Sequence, residues 1–460
     1  MSTKNAKMGM DLTHGSILPL LMRFALPLFV SNALQAVYNL VDMVVVGQYV
    51  GGAGMSAVSI GGDILHLITF LAMGFSSAGQ VLIAQDTGAN EPERVKKTIG
   101  TMFTFLLAVA LGMSVICYLL RFRILEWLHT PPESYDYTMD YTVTCVYGLV
   151  FIYGYNIVSA ILRGMGDSKR PFMFIGIAAV LNIILDIVFV RFCGLSVFGA
   201  ALATVIGQGV SFVASLIYLY AHKESFGFDF KRQSFRVDGP ALRRLTALGV
   251  PMAIQSAAIN LSKIVLTSWI NLSGVLYSAL AGIYNKTITM GGIVSNSFTA
   301  AGSTMVGQNL GARKYERVPV ILRTVLSITV SLAVLAALAM LFFSPSIFAL
   351  FTGDAEVLMQ AGILVLPIML DFFGSATRAM AFSLINGSGN TRLNLAVALL
   401  DGMVSRVGIA ALLGFGLGMG CRGFWMGDAL AGFVPMLIGC VYFFSGRWKM
   451  AAETKTTVGK

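Results

Sequence analysis

The sequence predicts an all-α integral membrane protein with twelve transmembrane helices in two pseudo-symmetric six-helix lobes. Three observations predict this class: segments that recur at a constant offset, twelve apolar stretches, and a composition of 56% hydrophobic and only 12% charged residues in 460. A soluble chain usually carries about a quarter charged residues, so most of this chain is expected to face hydrocarbon.

The internal repeat joins three pairs of segments. Residues 85–95 (QDTGANEPERV) return 223 residues later as 308–318 (QNLGARKYERV), and residues 164–167 (GMGD) return at the same offset as 387–390 (GSGN). Pro251 lies 224 residues after Pro27, an offset one residue longer than that of the other two pairs. A duplicated unit in so apolar a chain is typical of transporters built from two halves around a central path.

Each half supplies six stretches that are long enough to span a bilayer. They are 16–47, 54–84, 95–120, 138–162, 171–192 and 197–221, then 243–271, 275–307, 317–343, 356–385, 393–414 and 423–445. Because six is even, both halves enter the membrane in the same orientation, as parallel repeats. We predict an N-terminal lobe at 1–222, a cytoplasmic linker at 223–240, a C-terminal lobe at 241–446 and a cytoplasmic tail at 447–460.

Basic residues set the predicted orientation. With the N-terminus inside, the inner segments hold Lys4, Lys7, Arg94, Lys96, Lys97, Lys169, Arg170 and the cluster from Lys223 to Arg244, whereas the outer loops hold only Arg121, Arg123, Arg191 and Arg422. This asymmetry predicts cytoplasmic termini and accounts for the net charge of +10 without a nucleic-acid partner. The polar start and long first apolar stretch argue against a cleavable signal peptide.

The loops and the cysteines have structural interpretations. Gly88 and Gly311 are predicted to cap the C-termini of the second and eighth helices, and residues 164–167 and 387–390 are predicted to form tight inner loops. The five cysteines form no CxxC pair and are expected to be packing residues, not metal ligands or disulfides.

Buried polar residues mark a candidate site in the first half. Asn32, Gln35, Asn39 and Asp42 follow steps of three, four and three, which places them on one face of the first helix. In the fifth helix, Asn182 and Asp186 also share a face. An ionised carboxylate in a bilayer costs about 3 kcal/mol or more, so these faces are expected to point at a polar cavity or a partner.

The predicted depths of the two acids in the membrane favour a position close to each other. Both the first and fifth helices run outward, and Asp42 and Asp186 lie in their outer halves, level with Thr204 and Tyr141. Two desolvated carboxylates favour binding of a proton, and the same carboxylates with amide and hydroxyl oxygens would also suit Na⁺. The alternative is that both acids only hydrogen-bond neighbouring helices or reach the outer interface; two acids at one depth favour the coupling role.

Four segments carry a resemblance to a known family: residues 36–42 (AVYNLVD) with Gly47, residues 85–95, residues 181–186 (LNIILD) and residues 199–204 (GAALAT). Together they resemble the multidrug and toxic compound extrusion (MATE) family, in its prokaryotic branch with acids on helices one and five. The resemblance implies alternating access and export of cationic amphipathic compounds in exchange for H⁺ or Na⁺. It places the cation-coupling role on Asp42, Asn182, Asp186 and Thr204, with Tyr38 and Tyr141 as neighbours.

The second half does not repeat these acids, since Asp42 maps near Leu266 and Asp186 near Ile409. Another branch of the family places its acids on helices seven, eight and ten. Here helix seven offers Gln255, Ser256, Asn260, Lys263 and Thr267, and helix eight offers Lys286. We predict that Asp371 pairs with Lys263 or Arg378 and that Arg406, Asp401 and Asp428 pair internally. The predicted substrate cavity contains Asn32, Gln35, Asn39, Gln255 and Lys263.

Two devices for gating are predicted. Pro27 in helix one and Pro251 in helix seven each remove a backbone hydrogen bond, so each is a plausible bend point. Asp63 in helix two maps onto Lys286 in helix eight at the offset of 223 residues, and opposite charges at equivalent positions would close the outer mouth if they met. The alternative is that each charge pairs within its own lobe, Asp63 with His66.

The predicted function is secondary active antiport of cationic drugs or metabolites in the bacterial plasma membrane, by a monomer without a cofactor other than its coupling ion. The runner-up is a flippase or exporter of a lipid-linked or anionic substrate, which Lys263 and Lys286 modestly support. A channel would need a ring of repeated polar residues. A membrane-embedded enzyme would need a catalytic pair, and the four histidines are too scattered to supply one.

Overall fold

The computed structural model describes residues 9–449, and within them every regular element is a helix. Predictions that concern Lys4, Lys7 and residues 450–460 of the tail lie outside this range. The first half forms α1 (Ile17–Tyr49), α2 (Gly52–Gly88), α3 (Pro92–Trp127), α4 (Pro132–Tyr147 and Leu149–Gly164), α5 (Lys169–Phe192) and α6 (Ser196–Ala221). The second half forms α7 (Gly239–Asn271), α8 (Val275–Gly311), α9 (Arg317–Ala349), α10 (Ala355–Ser388), α11 (Thr391–Gly416) and α12 (Gly420–Phe444).

These helices confirm the predicted twelve-helix architecture. Ten of them are individually long and apolar enough to cross a membrane, and α4, bent by 48° beside Gly148, makes an eleventh span. The remaining helix, α8, is as long as α2, and each has 37 residues. It is less apolar because polar residues such as Asn285, Lys286 and Thr287 interrupt it.

The sequence repeat is preserved in backbone geometry. Gly51 before α2 and Gly274 before α8 both have positive φ, +88° and +105°. Asn90 and Arg313, which follow the same two helices, have φ of +58° and +57°. Packing repeats as well, since α2 packs against α3 and α4, and α8 packs against α9 and α10. The duplication therefore extends from single dihedral angles to helix neighbours.

The helix ends correct one expectation. Gly88 and Gly311 are the last helical residues, and the left-handed residues lie two positions further on, at Asn90 and Arg313. In the first half the Glu91 amide donates to the Asp86 carbonyl at 3.0 Å, which closes the turn around Asn90. Asparagine tolerates the left-handed conformation better than most residues, so it takes the position expected of glycine.

Contacts divide the chain into two compact units. Within residues 9–449, one contains residues 9–11 together with Leu26–Ala253, and the other contains Leu12–Ala25 together with residues 254–449. The first of the three boundaries, after Asp11, precedes α1, and the other two fall inside helices, next to Pro27 in α1 and Pro251 in α7.

The linker predicted at 223–240 belongs to the first unit. Phe228 and Phe235 pack against Phe103 of α3, and the Lys96 ammonium contacts the Asp229 carboxylate at 3.1 Å. The Ser234 hydroxyl, the Lys96 ammonium and the Lys231 amide all donate to Asp229, which lowers the pKa of that carboxyl to about 2. The linker is thus a packed segment with its own polar anchor.

Candidate cation site and buried ion network

The first unit gathers four of the predicted site residues at one place. Asp42 on α1, Asn182 and Asp186 on α5, and Thr204 on α6 are all buried. The Thr204 hydroxyl donates to Oδ2 of Asp42 at 3.4 Å, and Nδ2 of Asn182 donates to Oγ1 of Thr204 at 3.4 Å. Three helices therefore converge on one polar cluster in an apolar surrounding.

The two carboxyl groups of this cluster lie close enough to interact electrostatically. Asp186 is 0% exposed. Within residues 9–449, no donor bonds to Oδ1 or Oδ2 of Asp186, to Oδ1 of Asp42 or to Oδ1 of Asn182. Acceptor oxygens without donors are costly when buried. A proton or a Na⁺ ion would satisfy them, with both carboxylates, the Asn182 carbonyl and the Thr204 hydroxyl as oxygen ligands.

Aromatic side chains line the same cluster. Tyr38 and Tyr141 are buried, and both lie near enough to Asp42 to interact with its carboxylate. Tyr38 also interacts with Gln208, a residue that the sequence pattern did not single out. Gln208 lies four residues after Thr204 and so on the same face of α6. That spacing was the signal that could have identified it.

Local backbone features set the positions of these groups. The α-helix of α5 ends at Asp186 and continues as a π-helix over Ile187–Phe192. π-Helical turns inside α-helices occur frequently at functional sites. Gly207 lets α6 approach α5 beside Asn182, because a Cβ there would lie 3.1 Å from the Ala178 carbonyl oxygen.

Gly61 on α2 makes room for the Tyr141 ring, since a Cβ at residue 61 would lie 3.1 Å from Cγ of that ring and closer still to Cδ1. We expect Gly61→Ala to push Tyr141 away from the acid pair, lower the free energy of unfolding by about 1–3 kcal/mol and reduce export. Gly62→Ala is the matched control, because a Cβ there meets nothing within 4 Å. It should be neutral or stabilise α2 by up to about 1 kcal/mol. Equal export by the two variants would show that the position of Tyr141 does not matter.

The predicted substrate-cavity residues have different environments. On α1, Asn32 and Gln35 are half-buried whereas Asn39 is exposed, so the polar stripe is not uniformly covered. On α7, Gln255 is buried with no acceptor for Nε2 in residues 9–449, and Lys263 is half-buried. The shared role of these five residues stays a prediction.

The residues of the predicted charge gate, Asp63 on α2 and Lys286 on α8, are both exposed. They belong to different units. The gate therefore also stays a prediction.

The second unit contains a buried ion network instead of an acid pair. Arg406 contacts the Asp428 carboxylate directly and Oδ1 of Asp401 at 3.5 Å, and Arg378 contacts the same Asp401 oxygen at 3.3 Å. The Tyr284 hydroxyl donates to Oδ2 of Asp428 at 3.1 Å. The prediction that Arg406, Asp401 and Asp428 pair internally is confirmed.

The prediction that Asp371 pairs with Lys263 or Arg378 is wrong. Arg378 pairs with Asp401 of α11, and no basic group in residues 9–449 lies within 4 Å of Asp371. The carboxylate of Asp371 accepts instead from the Ser375 hydroxyl at 3.5 Å. Asp401 lies in the π-helical turn Leu400–Ser405, so α-helical spacing in the sequence does not show which side of α11 it occupies.

Twelve helices in two repeats, with a buried acid pair in one of them, define a membrane transporter. The MatE family model matches residues 27–188 and again residues 251–420, one match in each half of the chain. The chain belongs to this family of multidrug and toxic compound extrusion transporters. The family assignment and the multi-pass membrane location predicted from the sequence are both confirmed.

Relatives and solved structures agree with the assignment. The chain is 27% identical over 438 residues to the probable multidrug resistance protein YoeA of Bacillus subtilis (strain 168), covering 94% of each chain. It is 21% identical over 436 residues to the probable multidrug resistance protein NorM of Thermotoga maritima, covering 94% of this chain and 93% of that protein. A structure described as the outward-facing conformation of a multidrug resistance MATE family transporter superposes with a TM-score of 0.88 at 20% identity, covering 98% of this chain and all of that one.

Proposed function

We propose that this transporter exports cationic amphipathic compounds in exchange for H⁺ or Na⁺, with Asp42 and Asp186 as the coupling site. The observation that supports it most is the excess of acceptor oxygens at that site, which only a cation or protons would neutralise. Nδ2 of Asn182 donates to Thr204 and the Thr204 hydroxyl donates to Asp42, so Oδ1 of Asn182 is left as a ligand for the cation. Tyr38 and Tyr141 shield it with aromatic walls.

The site also suggests how an ion gradient would drive transport. Two ionised carboxylates in a desolvated pocket repel each other, so the empty and cation-loaded states differ strongly in free energy. Coupling requires such a difference, because a ligand shifts a conformational equilibrium only by its differential affinity for the two states. We propose alternating access in which the loaded and empty site favour different conformations.

Pro27 is the proposed bend point for this change. The division between the two units falls beside Pro27 in α1 and beside Pro251 in α7, where each proline removes a helical hydrogen bond. The polar stripe with Asp42 begins one turn after Pro27. One unchanged α1 geometry in structures determined at low and at high pH would contradict bending at Pro27.

Transport in proteoliposomes tests the function and identifies the ion. The purified protein is reconstituted, gradients of H⁺ and Na⁺ are imposed separately, and movement of an ethidium-like cation is followed. We expect one of the two gradients, or both, to drive export, and Asp42→Asn vesicles to show only the passive leak. Ethidium movement that neither gradient changes would contradict antiport.

The alternative is export of a lipid-linked or anionic substrate, and one observation favours it. Lys263 has no carboxylate within 4 Å among residues 9–449, although it lies near the ion network of the second unit. An anionic dye in the same vesicle assay separates the two functions. Gradient-driven movement of the dye without movement of ethidium would favour the alternative.

We further propose that both termini are cytoplasmic and that the transporter is a monomer. Cys193, between α5 and α6, is exposed and would then lie on the outer side. Labelling of Cys193 in whole cells by a membrane-impermeant maleimide tests the orientation. Light scattering of the purified protein tests the monomer.

A further inference from the structure

A small cavity in the second unit has no role in the proposed coupling. It is partly open and bordered by three helices, α7, α8 and α12, and its polar lining residues are Lys263, Thr267, Tyr284, Asn285 and Asp428. Leu266, Ile270, Phe424 and Trp425 form its apolar walls. Its volume of about 10 Å³ has room for roughly one water-sized group.

Among the charged groups around this cavity, Lys263 is the basic group with no carboxylate in direct contact in residues 9–449. Asp428, the acid that lines the cavity, is already in direct contact with Arg406 and accepts from Tyr284. Arg378 and Arg406 together balance Asp401 and Asp428. Lys263 has no carboxylate within 4 Å in the described part of the chain. Asp371, the one other acid nearby, lies on α10, which contributes no residue to the cavity wall.

The unsatisfied groups of the cavity are donors. Trp425 is 1% exposed, and its Nε1–H has no acceptor in residues 9–449. The Lys263 ammonium and the Trp425 indole can only donate hydrogen bonds. Thr267 and Asn285, which line the same space, add a hydroxyl and an amide. Buried donors without acceptors are costly, so the cavity favours a ligand that accepts hydrogen bonds.

We propose that this cavity binds a compact monoanionic group, held by the Lys263 ammonium and the Trp425 indole. The group is either the carboxylate of an amphipathic substrate or a free chloride ion. The small volume excludes bulky polyanionic headgroups, because the space among Lys263, Trp425 and Phe424 admits roughly one water-sized group, such as chloride or a carboxylate oxygen. The rest of a carboxylate ligand would lie outside the cavity. The first unit offers acceptors to a cation, and the second offers donors to an anion.

The inference does not depend on the coupling role of Asp42 and Asp186, so anion binding is measured without transport. The full-length protein in nanodiscs is titrated calorimetrically with benzoate, a small aromatic carboxylate, in chloride-free buffer. We expect saturable binding that Lys263→Gln weakens about tenfold or more, the scale of losing a hydrogen bond to a charged group. Lys263→Arg keeps the charge and should bind benzoate more tightly than Lys263→Gln.

Two control variants test whether benzoate binds at this cavity and nowhere else on the protein. Arg392→Gln removes another basic residue of the second half, exposed on α11, and should bind benzoate like wild type. Asp42→Asn should also bind normally, so failure of the coupling proposal and failure of this one are distinguishable. If Lys263→Gln does not fold, as judged by thermal unfolding, Trp425→Phe replaces it, and loss of the indole donor should weaken benzoate binding several-fold.

Competition with chloride identifies the source of the anion. Displacement of benzoate by chloride would assign the cavity to free chloride, whereas undisturbed benzoate binding would assign it to a substrate carboxylate. Wild-type protein that binds neither anion would show that the cavity holds water only and would overturn the proposal. Equal benzoate affinity in wild type and in folded Lys263→Gln or Trp425→Phe would overturn it as well.

Discussion

Asp42→Asn and Asp186→Asn should each abolish gradient-driven export while the protein still inserts and folds. Each change replaces a carboxylate by a neutral amide of the same shape, so the packing of α1, α5 and α6 is kept. What is lost is the difference in charge between the loaded and the empty site. Because the two carboxyls interact with each other in one buried cluster, we expect them to act as one titrating unit.

Non-additivity makes this prediction specific. The double variant Asp42→Asn/Asp186→Asn should be no worse than either single variant, since removal of either acid already disables the unit. Export is measured in the vesicle assay, with amounts of folded protein matched by size-exclusion chromatography. Asp136→Asn, an exposed acid on α4, is the control and should export like wild type. Full export by either site variant would refute a coupling role for the pair.

Much of this site could be predicted because helix periodicity alone carries the information. Asp42 follows Asn39 and Gln35 on one face of α1, and Asp186 follows Asn182 on one face of α5. Apolar flanks then require both faces to turn inward. The contact of Thr204 with Asp42 and Asn182 depends on how α6 rotates against α5, which periodicity does not determine. Gln208 could have been identified, because it lies four residues after Thr204 on the same face of α6.

The second half was harder to predict because its charges pair across helices. Asp371 was predicted to pair with Lys263 or Arg378, but Arg378 contacts Asp401 on α11 instead. Two π-helical turns, Leu400–Ser405 and Leu412–Gly416, change which side of α11 the following residues face. The residue pattern does not predict these turns. The roles of Tyr284 and Trp425 depend on the same cross-helix packing.

The repeat itself was visible from short polar segments, and the structure explains why. Residues at helix ends such as Asn90 and Arg313 hold the same unusual dihedral angles in both halves. Those angles restrict the sequence there, whereas lipid-facing positions accept any apolar residue. The residues inside the two lobes diverged, so that an acid pair lies in one and a balanced ion network in the other.

Arg406→Met should destabilise the protein more than any surface change. Arg406 is 1% exposed and contacts both Asp428 and Asp401, so its removal leaves buried carboxylates with too few cations. Loss of one partner from a buried ion pair costs about 3–5 kcal/mol. The measurement is the free energy of unfolding in mixed micelles. The control is Arg123→Met, whose pair with Glu126 has 69% and 63% exposed side chains and should contribute less than about 1 kcal/mol.

Removing an acid together with the arginine distinguishes charge imbalance from lost packing. In Arg406→Met/Asp428→Asn, Asp401 keeps Arg378 as its partner and the remaining charges balance again. The double variant should therefore be more stable than Arg406→Met alone, by more than the roughly 0.5 kcal/mol within which independent sites add. If the second change instead lowers stability further, Arg406 contributes through its packing and hydrogen bonds, and the network is not held together by charge balance.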